Sequence, residues 1–199
     1  MSNPQLYLAS QSPRRLQLLQ QLGLCVATFN ADIDETPKID ELPADYVARM
    51  AGEKNHAARQ ALQNQPNFLP HSPILSADTI VVCDQQILGK PQTTSHAQQM
   101  LEQLSARTHQ VLTAVCVSRE ERQAVIVQSS DVTFNPLTLQ EIQAYIATGE
   151  PMDKAGAYGI QGLGGIFISH IEGSFTGIMG LPIFETATLL RQMGVTILS

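Results

Sequence analysis

Residues 6–15 read Leu6-Tyr7-Leu8-Ala9-Ser10-Gln11-Ser12-Pro13-Arg14-Arg15. An apolar run, Leu6 to Ala9, meets a helix start. Ser12 stands as N-cap, and Pro13 takes the first helical position, where its missing N–H costs nothing. Arg14 and Arg15 then fall in the first turn. That end of a helix already carries partial positive charge and free N–H groups, so two cations there call for an anion. A phosphate at a strand-to-helix turn is the usual one.

Strand and helix signals continue outward from this point. Residues 5–9 read as a strand and 13–22 as a helix, with Leu18, Leu19 and Leu22 on one side and Gly23 after its end. Residues 24–29 read as a second strand, 43–63 as the longest helix and 74–83 as a buried strand. Ser95 with Gln98, and Thr138 with Glu141, have the capping-box pattern and open two further helices. Residues 108–118 and 123–134 read as a strand pair turning at Ser118 to Arg122, and 166–171 as another strand. Pro182 opens a last helix with Ile183, Ala187 and Leu190 on one face, ending at Gly194. This order predicts an α/β or α+β chain with a mixed sheet.

The 199 residues fit a single domain, 1–199, with room for two lobes. With 43% hydrophobic and 15% charged residues, disorder is not expected. The net charge of −6 argues against a nucleic-acid polymer as partner, so any phosphate site must be local. No apolar stretch is long enough to span a bilayer, and no membrane association is expected. Cys25, Cys83 and Cys116 sit in apolar runs without CxxC spacing and read as buried, reduced thiols. Their odd number, without a signal sequence, points to the cytoplasm. His56, His71, His96, His109 and His170 have no zinc-site spacing and read as structural or surface residues.

Several residues do not fit a plain core. Asp78 lies within Ile74-Leu75-Ser76-Ala77-Asp78-Thr79-Ile80-Val81-Val82. A carboxylate in a buried strand is costly unless paired, hydrogen-bonded or metal-bound. Such an aspartate could hold a divalent cation or act as general base toward water, or be a structural residue at a bulge. Lys54 lies on the apolar stripe of the long helix, in line with Val47, Met50, Ala58 and Ala61. A snorkelling lysine is the alternative. Arg49 and Glu53 form an i,i+4 surface pair, and Gly52 has no local explanation. Asp34-Glu35 reads on its own as a solvated acidic loop, and Lys90 is a single cation held in Gly89-Lys90-Pro91. Residues 156–165 contain five glycines, whose N–H groups are able to form an anion nest. They match neither the P-loop nor the dinucleotide fingerprint. Gln161 is the amide there suited to reading a base edge.

Ser10-Gln11-Ser12-Pro13-Arg14-Arg15 resembles the S-x-S-P-R-R signature of the Maf nucleotide pyrophosphatases. Further motifs follow in that family's order: Asp34-Glu35, Glu53-Lys54, Ala77-Asp78-Thr79, Gly89-Lys90-Pro91, the run from Asp153 to Gly162, and Gly180-Leu181-Pro182. Arg15, Thr79 and Gln161 are similar to the branch acting on dTTP and UTP, not to the methylguanine branch. Gly52, and Thr93 in place of a more usual acidic residue, depart from the pattern.

The resemblance implies a Maf/ITPase-like mixed α/β fold, with a long twisted sheet, two lobes around a cleft, and a homodimer. It implies hydrolysis of dTTP or UTP to the monophosphate and pyrophosphate. Asp78 would be catalytic, and Arg15, Thr79 and Gln161 would set specificity. Ser10, Ser12, Arg14, Lys54 and Lys90 would bind phosphate, and Glu35 and Asp78 would hold Mg²⁺ or Mn²⁺. Two other readings are a nucleotide-binding regulator of septum formation and a phosphomonoesterase. The absence of a G-x-S-x-G elbow weakens a serine hydrolase.

Overall fold

The computed structural model describes residues 3–30 and 32–198. Seven strands form one mixed sheet flanked by helices. β1 (Leu6–Ala9) leads into α1 (Pro13–Gln21) and returns through β2 (Val26–Phe29). β2 lies parallel to β1, and so does β3 (Ile74–Cys83) on the other side. The rest is antiparallel: β4 (Gln86–Leu88), β5 (Thr108–Arg119), β6 (Arg122–Phe134) and β7 (Ile168–Glu172). The spatial order is β2-β1-β3-β5-β6-β7, with β4 beside β3.

One sheet face is covered by α2 (Pro43–Leu62), which buries Tyr46, Val47, Met50 and Ala51 against Ile80, Val82, Leu112, Ala114 and Cys116. Asn55 fixes the helix to the sheet. Its amide donates to the carbonyls of Ile74 (2.9 Å) and Cys116 (3.3 Å), and its oxygen accepts from Ser118 Oγ.

The opposite face carries two separate apolar clusters. Leu75, Ala77, Val115 and Val117 pack with α1 and the last helix (Ile183–Gln192). Val81, Cys83 and Val111 pack with α3 (Thr94–Leu104) and α4 (Leu139–Ala147). Between them lies the cross-strand pair Thr79 and Thr113. These threonines divide what would otherwise be one core.

The sheet also opens at this level. β1 pairs with β3 at Ile74–Ser76, and β4 pairs with it at Val81–Cys83. Among the described residues, 77–80 pair only with β5. Ser10 and the start of α1 lie beyond the carboxyl end of β1 next to this gap, where open α/β sheets take ligands.

Local chemistry departs from expectation in three places. The third helix is capped by Thr93, whose Oγ1 accepts from His96 N (3.1 Å), and not by Ser95. Thr93 is therefore a structural cap after Pro91, one of three adjacent hydroxyl residues among which the chain direction selects. Residues 163–167 form a 3-10 turn, so β7 begins at Ile168 and not at 166. Cys83 and Cys116 are buried as expected, but Cys25 is only half-buried at the start of an exposed-edge strand. Gly52 has room for a side chain, a Cβ there meeting only Gln123 Nε2 at 3.9 Å, and nothing in the structure explains the glycine. The Thr138–Glu141 capping box forms as read. No helix of the described residues is long and apolar enough to cross a membrane.

His109 is structural. It is buried on β5, with Nε2 2.8 Å from Tyr158 Oη and edge-on rings of Phe134 and Tyr158 around it. Burial pulls its pKa down to about 4. The unfolded chain then binds a proton that the folded chain refuses between the ordinary value and about 4, so stability is lost as pH falls through that window, by about 3 kcal/mol in all. Thermal melts from pH 7 to pH 4 should show His109→Gln losing less stability over this range than the wild type. A wild-type profile no steeper than the variant's would contradict a buried neutral imidazole.

Candidate active site

Two hydrogen-bonded groups meet at the gap, one from each side of β3. Successive side chains on a strand point to opposite faces. Asp78 accordingly meets α2, and Thr79 meets α1.

On the first side, Lys54 Nζ lies 2.7 Å from Asp78 Oδ1 and 2.6 Å from Glu35 Oε1. Lys54 and Asp78 are largely enclosed, while Glu35 is open to solvent. The lysine read on the apolar stripe thus neither snorkels nor stands alone: it joins two carboxylates. Glu35 is held from behind, its carbonyl accepting from Tyr46 Oη (2.9 Å). Asp34 Oδ1 accepts from both the amide (2.9 Å) and hydroxyl (2.6 Å) of Thr36. Arg49 joins Thr36 O to Glu41, which it grips with two nitrogens at 2.6 and 2.7 Å. Its i,i+4 contact with Glu53 is longer, at 3.3 Å. The acidic segment is exposed, as a solvated loop is expected to be, and these bonds also tie it to α2. Burial, followed by the charges of Asp78 and Glu35, pushes the Tyr46 phenol up to about 12.

On the second side, Arg15 makes three bonds. Nε donates to Gly180 O (2.8 Å), Nη1 to Ser10 Oγ (3.2 Å) and Nη2 to Thr79 Oγ1 (3.1 Å). Ser10 Oγ also accepts from Ser12 N (3.1 Å), and Ser12 Oγ caps Arg15 N (3.5 Å). Both hydroxyls keep a proton to donate to a phosphate. Burial pulls the Arg15 guanidinium below its ordinary pKa, opposed chiefly by Asp78. Thr79 Oγ1 lies 2.9 Å from Thr113 Oγ1, which in turn is 2.8 Å from Gly177 O.

Arg14 and Lys90 make no ion pair among the described residues. Lys90 is exposed, on a turn fixed by the bond from Gly156 N to Gly89 O (3.1 Å). Gln161 is exposed, and no hydrogen bond joins it to Arg15 or Thr79.

The glycine-rich segment corrects an expectation. Its N–H groups do form a nest, but the chain's own Glu150 fills part of it. Glu150 Oε2 accepts from Leu163 N (2.9 Å), and Oε1 from Gly164 N (3.1 Å) and Tyr145 Oη (2.8 Å). Tyr145 Oη also accepts from Gly159 N (3.1 Å). Against the raising effect of burial, these bonds and Lys154 hold the Glu150 carboxyl below its ordinary value. Gly156 has φ +68°, and a Cβ there would lie 2.8 Å from Val81 Cγ2. That close approach presses the segment onto the sheet.

Glu150 and Thr113 were not among the residues read from sequence. Thr113 leaves a trace, as a hydroxyl inside Val111-Leu112-Thr113-Ala114-Val115. Glu150, at Gly149-Glu150-Pro151, leaves none.

Among the described residues no three or more His, Cys, Asp or Glu side chains form a metal-binding cluster. Glu35 and Asp78 do converge, on the ammonium of Lys54. Two carboxylates suit an ion such as Mg²⁺, which completes its shell with water and substrate phosphates.

The sequence model of the Maf family, described as "Maf-like protein", matches residues 5–193. The chain belongs to the Maf family. The matched span contains the whole site, from Ser10 to Gly180. Among curated relatives the chain is 60% identical to a protein of Pasteurella multocida (strain Pm70) named dTTP/UTP pyrophosphatase, over 98% of each chain. It is 57% identical to a protein of Haemophilus ducreyi named nucleoside triphosphate pyrophosphatase, over 97% of each. Among solved structures it is similar to the Staphylococcus aureus Ham1 protein, with a TM-score of 0.44, 13% identity, and coverage of 65% of this chain and 71% of that one.

Glu150→Ala should release the amides of Leu163 and Gly164. Hydrogen exchange at both should accelerate, and denaturation should show a loss of about 1–3 kcal/mol. Unchanged exchange at these two amides would mean that the loop holds itself.

Proposed function

We infer that this Maf-family chain is a nucleoside triphosphate pyrophosphatase that hydrolyses dTTP and UTP to the monophosphate and pyrophosphate. The observation that carries the reading is the pair of groups at the gap in β3: a carboxylate held by Lys54 on one side, and phosphate-binding hydroxyls beside Arg14 and Arg15 on the other. The names of the relatives support the same activity.

In this reading the triphosphate lies against the start of α1. The hydroxyls of Ser10 and Ser12 bind its oxygens, and Arg14 and Lys90, free of ion pairs among the described residues, neutralise its charge. Lys54 fixes Asp78 through Oδ1, so that Oδ2 faces water. Asp78 takes the proton of that water as its oxygen bonds to the α-phosphorus. The bond from the α-phosphorus to the bridging oxygen breaks, and pyrophosphate leaves with that oxygen. A divalent cation, Mg²⁺ or Mn²⁺, held by Glu35 and Asp78, supplies charge neutralisation of phosphate oxygens when bound. Arg15, Thr79 and Gln161 select the base.

We place the protein in the cytoplasm on its cysteine usage and read it as a homodimer on the family resemblance. A regulator without catalysis would need only the cations, and gives no use for the Lys54–Asp78 contact.

With Mg²⁺ or Mn²⁺, dTTP and UTP should yield pyrophosphate and no orthophosphate. Orthophosphate as sole product would overturn the reading. Asp78→Asn should lower kcat by about 10²- to 10⁴-fold while nucleotide binding persists. Arg14→Ala should raise KM for all accepted nucleotides by a similar factor, in contrast to a base-selective change.

A further inference from the structure

Residues 32–41 carry Glu35 from β2 toward α2 without a strand or helix of their own, and all but Ile33 and Glu41 are exposed. A segment with so few buried contacts should open easily. The Glu35 carboxylate nevertheless stands 2.6 Å from Lys54 Nζ. Two consecutive carbonyls are held. Glu35 O accepts from Tyr46 Oη (2.9 Å), and Thr36 O accepts from Arg49 Nη2 (3.1 Å). Tyr46 and Arg49 are one turn apart on α2 and share a face. The Arg49 guanidinium also stands over the Tyr46 ring, 5.5 Å from its centroid, so each donor braces the other.

Arg49 is itself anchored. Its Nε and Nη2 meet the two oxygens of Glu41 at 2.6 and 2.7 Å, a two-point grip that a guanidinium makes and an ammonium cannot. The pair is largely shielded from water, the Arg49 side chain being 16% exposed and that of Glu41 9%. Glu41 Oε2 accepts in addition from Lys38 N (2.9 Å). The bonds from Arg49 are the chief cause that pulls the Glu41 carboxyl down to about 2, so the grip stays charged at neutral pH. One guanidinium thus ties down both ends of the stretch 36–41, which leads from Glu35 to α2. Its contact with Glu53 is longer, at 3.3 Å. Among the described residues neither Arg49 nor Glu41 bonds to Lys54 or Asp78.

We propose that Arg49 is a positioning residue: gripping Glu41 and the carbonyl of Thr36, it holds an otherwise loose segment so that Glu35 points at Lys54. This rests on the reading of Glu35 as a carboxylate of the site and adds what keeps it there. Arg49 acts through Glu35 and needs no contact with the nucleotide. The fork of the guanidinium, not its charge, is what the role requires.

The full chain is tested as wild type, Arg49→Met, Arg49→Lys, Glu41→Gln, Glu35→Gln and the double variant Arg49→Met with Glu35→Gln. Amide hydrogen exchange, measured without nucleotide or metal, should quicken about tenfold within residues 32–41 of Arg49→Met, the effect of a lost charged hydrogen bond, and stay unchanged in β3. Pyrophosphate release from dTTP with Mg²⁺ should show kcat lowered about 10- to 100-fold with KM little changed, as expected of a misplaced group. Arg49→Lys should keep most of that loss. In the double variant Arg49→Met should add nothing to the loss from Glu35→Gln, because both remove the same contribution. Glu41→Gln leaves Arg49 in place and carries the same expectation for exchange and kcat should the methionine variant not fold.

Unchanged exchange within 32–41 would overturn the proposal. So would losses that multiply in the double variant, a lysine variant of full activity, or a change confined to KM, which would make Arg49 a nucleotide ligand. A wild type that releases no pyrophosphate from dTTP would instead strike at the proposed activity, while exchange within 32–41 still decides whether Arg49 holds the segment.

Discussion

β3 is long enough to pair with β1 at one end and β4 at the other, and between them its outer edge has no strand partner. That short unpaired length, residues 77–80, is the constraint on which the site depends. A complete sheet would put Asp78 and Thr79 into separate compartments, because neighbouring side chains on a strand face opposite ways. At the break Arg15, on the α1 side, still feels the charge of Asp78, which Lys54 holds on the α2 side. In the proposed reading both cations serve the same ligand.

Charge explains why the break can persist in a folded core. Asp78 is mostly enclosed, and an unpartnered carboxylate there would be costly. Lys54 meets it at 2.7 Å and is itself balanced by the more exposed Glu35. Arg15 is satisfied by a carbonyl and two hydroxyls. Arg14 and Lys90 make no ion pair among the described residues. Asp78 is thus neutralised by neighbouring side chains, and in the proposed reading Arg14 and Lys90 hold charge for a polyanion. Such local charge is how a chain of net charge −6 would accommodate a phosphate. The same economy operates in the glycine-rich loop, where Glu150 takes the amides that an outside anion would otherwise find.

Most of the elements were legible because their signals are local. Ser12-Pro13 starts α1, the Thr138–Glu141 box starts α4, and the apolar run 74–83 is β3. Asp78 and Lys54 were legible as misfits, each a charge on an apolar stripe. The start of α3 was misread because Thr93, Thr94 and Ser95 are equivalent as caps until the path of the chain after Pro91 is known. Glu35 looked like loop acid because the hydroxyl of Tyr46 and the ammonium of Lys54, which hold it, lie 11 and 19 residues away. Glu150 gave no signal, since its three donors become neighbours only when the loop closes.

The sequence by itself determined the class of fold, the strand-to-helix turn with its two arginines, and the presence of a carboxylate and a lysine where apolar residues belong. These follow from periodicity, capping and the cost of burying charge, all of which act over a few residues. Only the tertiary structure decided which charges meet, that the two arginines part company, and that Thr79 and Thr113 stand side by side. Those outcomes depend on strand register and on the gap between β1 and β4, and pairing between distant segments leaves no local trace. Arg14 makes no ion pair among the described residues, while Arg15 turns inward to the carbonyl of Gly180 and the hydroxyls of Ser10 and Thr79.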